Sequence, residues 1–139
     1  MIKTDFADSG IIAEIFSSSQ VIAVVGLSEK TDRPSYRVAE YLQKAGYVII
    51  PVNPNAEIIL GEKSYPDLLS IPINIDVVDV FRRGETVGPV VDEAINKKAK
   101  AIWFQEGVIN EAEAIRAKRS GLKVVMDRCM LKEHSKLNR

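Results

Sequence analysis

The sequence predicts an α/β protein of the doubly wound, Rossmann-like class: a parallel five-stranded sheet with helices on both faces. Three observations carry this. Five short runs rich in β-branched residues recur along the chain, most of them continuous instead of alternating, as strands covered on both faces should be. Segments with helical spacing separate them. Each such segment is bounded by the residues that start or stop helices. Right-handed crossovers then follow, with an expected strand order of 3-2-1-4-5.

Residues 5–18 (DFADSGIIAEIFSS) read as an N-terminal helix, and Val21–Val25 (VIAVV) as the first strand. Pro34 to Ala45 places Val38, Tyr41, Leu42 and Ala45 on one face, begins with proline after Asp32 and stops at Gly46, which makes it the first crossover helix. The second strand is Tyr47–Val52 (YVIIPV). Residues 53–74 read as a loop with a brief helix around Tyr65–Leu69, and Ile75–Phe81 (IDVVDVF) as the third strand. Thr86 to Ala99 repeats the helical design with Val87, Val90, Val91, Ala94 and Ile95, with Pro89 near its first turn. Ala101–Phe104 (AIWF) is the fourth strand. Asn110 to Ser120 opens on a good cap residue, carries acids in its first turn and bases in its last, and precedes Gly121. Leu122–Met126 (LKVVM) is the fifth strand and residues 128–137 a terminal helix.

The 139 residues, 46% apolar and 27% charged, are expected to form a single domain with a core of its own. Nineteen basic and nineteen acidic side chains cancel, so no overall positive field draws the chain to nucleic acid or an anionic membrane, and any anion site must be local. The N-terminus lacks the pattern of a cleaved signal, and no run reaches eighteen apolar residues, so a cytoplasmic location is expected. One cysteine, Cys129, and one histidine, His134, exclude an internal disulfide and make a Cys/His zinc cluster an unsuitable reading.

In an open parallel sheet a ligand lies beyond the carboxyl ends of the strands, where the strand order reverses. That rule nominates Gly26–Arg33, Asn53–Asn55, Phe81–Glu85, Gln105–Val108 and Asp127–Cys129. Gly26 allows a tight turn and a close approach of backbone N–H groups to an anion; Ser28 adds a hydroxyl, and Lys30, Arg33 and Arg37 add charge. Arg82 brings a further guanidinium near the same cleft. Phe81 is read either as a ligand contact or as core, and Gln105 either as a hydrogen-bonding contact or as a strand-end polar residue.

A nicotinamide dinucleotide suits these residues poorly. Ser28 and Thr31 stand where G-x-G-x-x-G requires glycine, and the second strand ends in Pro51-Val52-Asn53-Pro54 where an acid would hold the ribose. The two prolines instead give a rigid, apolar edge suited to a flat base. No G-x-x-x-x-G-K-[ST] occurs, which argues against ATP hydrolysis.

The stretches VVGLSEKTDRPSYRVAEYLQKAGYVIIPVNP, VDVFRRGE, WFQEGVINEAEA and VVMDRCM resemble, in this order, the small bacterial and archaeal CoA-binding domain proteins, whose fold is that of the N-terminal domain of the succinyl-CoA synthetase α subunit. The likeness spans about residues 13 to 134, and G-x-S-x(5)-P-S-Y with P-V-N-P and D-R-C is more specific than any lone glycine motif. It implies a coenzyme A or acyl-CoA ligand. By this resemblance Gly26, Leu27, Ser28 and the bases Lys30, Arg33 and Arg37 take the phosphates. Val52, Asn53 and Pro54 border the adenosine. Val80, Phe81 and Arg82 form a third contact region, and Gln105 to Gly107 lie toward the pantetheine arm.

In succinyl-CoA synthetase the phosphorylated histidine belongs to a further domain, to which nothing here corresponds, and His134 matches no catalytic histidine; the resemblance therefore implies binding without turnover. A small NAD(P)-dependent oxidoreductase and a nucleotide-sensing regulatory module acting on an unidentified protein partner remain the alternatives. Cys129 is read either as a small buried residue or as a thiol that exchanges with that of coenzyme A, with Arg128 favouring the thiolate. Asp76, Asp79 and Asp127 are read as acids that cap helices or pair with nearby arginines.

Overall fold

The computed structural model describes residues 6–138. The first residue of the expected N-terminal helix, Asp5, lies outside them. Along the chain run α1 (Ser9–Ser18), β1 (Val21–Val25), α2 (Pro34–Lys44), β2 (Val48–Val52), β3 (Ile58–Ile59), β4 (Glu62–Lys63), β5 (Val77–Val80), a 3-10 turn (Gly84–Thr86), α3 (Gly88–Asn96), β6 (Ala101–Phe104), α4 (Glu111–Arg119), β7 (Lys123–Met126) and α5 (Met130–Leu137). All five strands expected from the sequence form, and they make one parallel sheet in the order β2-β1-β5-β6-β7. No helix among the described residues is long and apolar enough to cross a membrane.

The caps follow elementary chemistry. Asp8 accepts from the Ile11 N–H at 3.0 Å to start α1, and Asn110 accepts from the Glu113 N–H at 3.1 Å to start α4. α2 begins at Pro34, but its cap position is Arg33, whose side chain makes no capping bond. The α3 segment starts later than its periodicity suggests, at Gly88, because Gly84–Thr86 winds as a separate 3-10 turn first.

The sheet separates two apolar layers. Ile12, Ile15 and Phe16 of α1, Val38 and Leu42 of α2 and Met130 of α5 pack with Ile22, Val24 and Trp103 on one face. Val90, Val91 and Ala94 of α3 and Ala114 and Ala117 of α4 pack with Ala23, Val78 and Ile102 on the other. Strands covered on both sides bury both of their faces, which is why their sequences run apolar without alternation.

Counting only the five sheet strands along the chain, the order is 2-1-3-4-5, and this corrects the expected 3-2-1-4-5 in one respect: the third strand, β5, lies against β1 and not outside β2. Two local arrangements account for it. The outer edge of β2 is occupied by Tyr65, whose N–H donates to the Pro51 carbonyl at 3.0 Å and whose carbonyl accepts from the Asn53 N–H at 2.9 Å. The start of β5 is tied to β1 by Asp76: its backbone N–H donates to Val21, and its carboxylate accepts from the Gln20 and Val21 N–H groups at 2.8 and 2.9 Å. Tyr65–Leu69 therefore forms a bridge and a turn, not the brief helix expected there. Ahead of it, β3 and β4 form a hairpin that local patterning did not announce, turning through Leu60 and Gly61, both at positive φ.

Two predictions follow from this frame. Burial pushes the Asp76 carboxyl up, but the two N–H donors and Lys100 at 3.2 Å outweigh it and hold its pKa below the ordinary value. A depressed carboxyl stabilises the fold fully above its unfolded pKa, and that contribution fades as pH falls through the lower folded value. Asp76→Ala should cost about 2 kcal/mol in urea denaturation at pH 7, with the gap to wild type closing in strong acid. Gly26 has φ +84°, and a Cβ there would collide with the Phe81 carbonyl oxygen. Gly26→Ala should therefore destabilise by more than about 2 kcal/mol, read in the same titration.

Candidate functional site

Two hollows meet at the carboxyl ends of β1 and β5, where the crossovers leave for opposite faces of the sheet. The larger, about 680 Å³, lies on the α2 and α5 side; the smaller, about 420 Å³, lies toward β2. Gly26, Phe81, Arg82 and Arg83 line both, so they form one two-lobed cleft.

The β-ladder extends one residue past the strands: Gly26 N–H donates to Val52, Phe81 N–H to Val25 and Gln105 N–H to Val80. These three ends make the floor. Above it the loop after β1 is fixed by its own polar groups. The Ser28 N–H donates to Ser35 Oγ at 3.0 Å, and the Lys30 N–H donates to Ser28 Oγ at 3.1 Å. This leaves the uncapped start of α2, with its unpaired backbone donors and positive dipole end, beside Lys30 and Arg33 in the cleft wall. Among the described residues no ion pair joins Lys30, Arg33 or Arg82, whereas Arg83 reaches Glu85 at 3.5 Å.

Of the expected residues, Gly26, Ser28, Lys30, Arg33, Phe81, Arg82, Gln105 and Gly107 line the larger lobe, and Val52, Asn53 and Pro54 the smaller. Leu27 and Val80 do not: both are fully buried in the two apolar layers, so neither offers a side chain to a ligand. Arg37 is exposed one turn into α2 and lines neither lobe. Asn53 is largely committed to structure, donating to the Leu27 carbonyl at 2.9 Å and accepting from the Asn55 N–H at 2.8 Å.

Arg83 and Glu106, which fall within the nominated stretches, also line the larger lobe; Pro34, Ser35 and Val38 there, and Pro66 and Thr86 in the smaller, were not singled out as contacts from the sequence. The P-S of the P-S-Y motif was the available signal for Pro34 and Ser35. Cys129 is half-buried at the cap position of α5 and opens onto the larger lobe. The three acids behave differently from the expectation. Asp76 pairs with Lys100, and Asp127 holds the Gly107 N–H at 2.8 Å. Asp79 is wholly buried: Gln105 Nε2 donates to its Oδ1 at 2.7 Å, and its Oδ2 has no partner. Burial, opposed by the Gln105 bond, pushes its pKa up to about 8, which favours the uncharged acid at neutral pH. Its unfolded counterpart ionises from about pH 4, so stability falls as pH rises from there toward 8.

The larger lobe thus combines exposed cations and the N–H donors of α2 with buried Val38 and Gln105, and the smaller lobe has a rigid proline edge beside Arg82 and Arg83. Comparison with known proteins gives this arrangement a family. A model of the CoA binding domain matches residues 20–135. The uncharacterized protein YneT of Bacillus subtilis is 43% identical over 124 residues, covering 89% of this chain and 92% of that protein. A hypothetical protein from Pyrococcus horikoshii superimposes with a TM-score of 0.92 at 39% identity, with both chains covered completely. Acetate–CoA ligase (ADP-forming) II of Archaeoglobus fulgidus is 34% identical over 95 residues, which is 66% of this chain and 14% of that enzyme. The chain belongs to the CoA binding domain family, homologous to a domain of ADP-forming CoA ligases.

Proposed function

We propose that the protein binds coenzyme A or an acyl-CoA in this cleft without turning it over. The observation that carries the reading is the set of groups gathered at the β1/β5 junction: exposed cations beside the open α2 terminus, a proline-bordered hollow, and a recess that includes Gln105 and Gly107. Phosphates suit the first, because N–H donors and guanidinium groups bind them by charge-assisted hydrogen bonds. The adenosine suits the hollow bordered by Val52, Asn53 and Pro54. The neutral pantetheine arm suits the recess, where the charge of Glu106 is met by Lys132 at 3.0 Å.

Binding without turnover is supported by the placement of the histidine. His134 lies on α5 with Nδ1 at 2.9 Å from the Tyr41 hydroxyl and its ring packed on Phe16, away from both lobes. The ligase relative matches this chain over a small part of its own length, so its reaction is not transferred here.

Thermal melting tests the ligand. Coenzyme A at about a hundredfold excess over its Kd should raise the melting temperature by about 8 °C, and NAD or NADP should not. Stabilisation by NAD alone would make the oxidoreductase reading the better one. The cation assignment has its own measurement: by isothermal calorimetry, Arg33→Ala and Arg82→Ala should each weaken coenzyme A by about threefold to fivefold. At least one of them should narrow the preference for coenzyme A over its dephospho form, while Arg37→Ala should change neither quantity.

A further inference from the structure

Asp79 is the one buried acid whose position the fold does not explain. In the parallel register it stands between Val24 of β1 and Trp103 of β6, in the interior of the sheet. It has zero exposure, a single hydrogen bond and an unpartnered Oδ2. An apolar side chain, like the valines that occupy the rest of β5, would avoid the cost of burying a half-satisfied carboxyl. The only polar contact of its side chain among the described residues is with Gln105, and Gln105, 3% exposed, lines the recess of the larger lobe. Asp79 lies two residues before Phe81 on the same strand face, one rung beneath the cleft floor.

We propose that Asp79 is a positioning residue for ligand selection: by taking one Nε2 hydrogen of Gln105 it fixes the side-chain amide, leaving the remaining N–H and the carbonyl oxygen to engage a secondary amide on the ligand's neutral arm. This rests on the coenzyme A reading, since the pantetheine arm carries such amides and the nucleotide end does not. A planar amide with one hydrogen committed has its remaining donor and acceptor set in direction, which is the pairing another amide needs. Without the acid, Gln105 would turn toward whichever partner it found.

The acid's neutrality matters too. No charged group holds its proton: burial raises the pKa and the Gln105 bond alone opposes it. The ionisable groups around the recess, Lys30 and Arg33 near α2, Arg82 and Arg83 after β5, Glu106 after β6 and Cys129 on α5, belong to the cleft wall. Uncharged, Asp79 adds no repulsion beneath a polyanionic ligand. Ionised, it places a buried negative charge there.

Calorimetry with coenzyme A and with adenosine 3′,5′-bisphosphate, which lacks the arm, tests this on the full chain at pH 7 and pH 9. Asp79→Leu, checked for folding by circular dichroism, should lose about tenfold for coenzyme A and nothing for the bisphosphate. Asp79→Asn keeps an acceptor for Gln105 and should bind coenzyme A within about twofold of wild type at pH 7. Wild-type affinity for coenzyme A should drop more between pH 7 and pH 9 than that of Asp79→Asn, in which position 79 cannot ionise. Equal losses for both ligands in Asp79→Leu, an unchanged coenzyme A affinity, or an Asp79→Asn as weak as Asp79→Leu would each overturn the positioning role while leaving the coenzyme A reading intact. A folded wild type that binds the bisphosphate or neither ligand, and never prefers coenzyme A, would overturn both.

Discussion

The cleft depends on β1 and β5 being neighbours whose chains part as soon as they leave the sheet. Their register runs from Ile22 with Val77 to Val25 with Val80, and one more hydrogen bond, Phe81 N–H to Val25 at 2.9 Å, continues it. Beyond that point the chain after Gly26 turns to the layer containing α2, and the chain after Phe81 turns to the layer containing α3. Backbone leaving in opposite directions uncovers the strand ends, and it brings the start of α2 to the rim with its donors unspent. Gly26 is required because the Phe81 carbonyl occupies the space where any Cβ would be. Asp76 secures the same pairing from the other end of the strands, so a contact made about five residues away determines whether the site exists.

The strands were legible in the sequence because each is a buried run with no competing period. Their boundaries shifted by two residues at most, as at Ile75–Phe81, which narrows to Val77–Val80. Their order was less legible, since apolar runs covered on both faces look alike and nothing in VVDV says whether VIAVV or VIIPV will be its neighbour. That choice was made by particular hydrogen bonds from Asp76 and Tyr65, side-chain and bridge details that periodicity does not carry. The same holds between β2 and β5, where a two-residue turn through Leu60 and Gly61 produced a hairpin too short to show a pattern.

At the cleft, the sequence showed charge and hid burial. Lys30, Arg33 and Arg82 announced themselves because bases clustered after strands have few structural duties, and they do line the cleft without ion pairs among the described residues. Leu27 and Val80 entered with their motifs and turned out to be core, because a motif marks a stretch of backbone without saying which side chains face outward. Asp79 was read as an acid with an ordinary structural role, and Gln105 either as a ligand contact or as a strand-end polar residue. Their pairing joins residues 26 positions apart and exists only once β5 and β6 are in register.

On the coenzyme A reading, this division has a consequence for where selectivity resides. Exposed guanidinium and ammonium groups act through water and salt, each contributing about 1 kcal/mol or less, and they do so for any phosphate ligand that fits. They attract and orient, but they distinguish coenzyme A poorly from other nucleotides. A hydrogen-bonding pair inside the protein works in a low dielectric, where a partner of the wrong polarity leaves buried groups unsatisfied. Discrimination therefore concentrates at the β5–β6 end of the recess, where Gln105 meets the ligand and Asp79 stands behind it. The stability forgone by burying an acid in the sheet is, in this view, the counterpart of a recess that accepts an amide and rejects an arm without one.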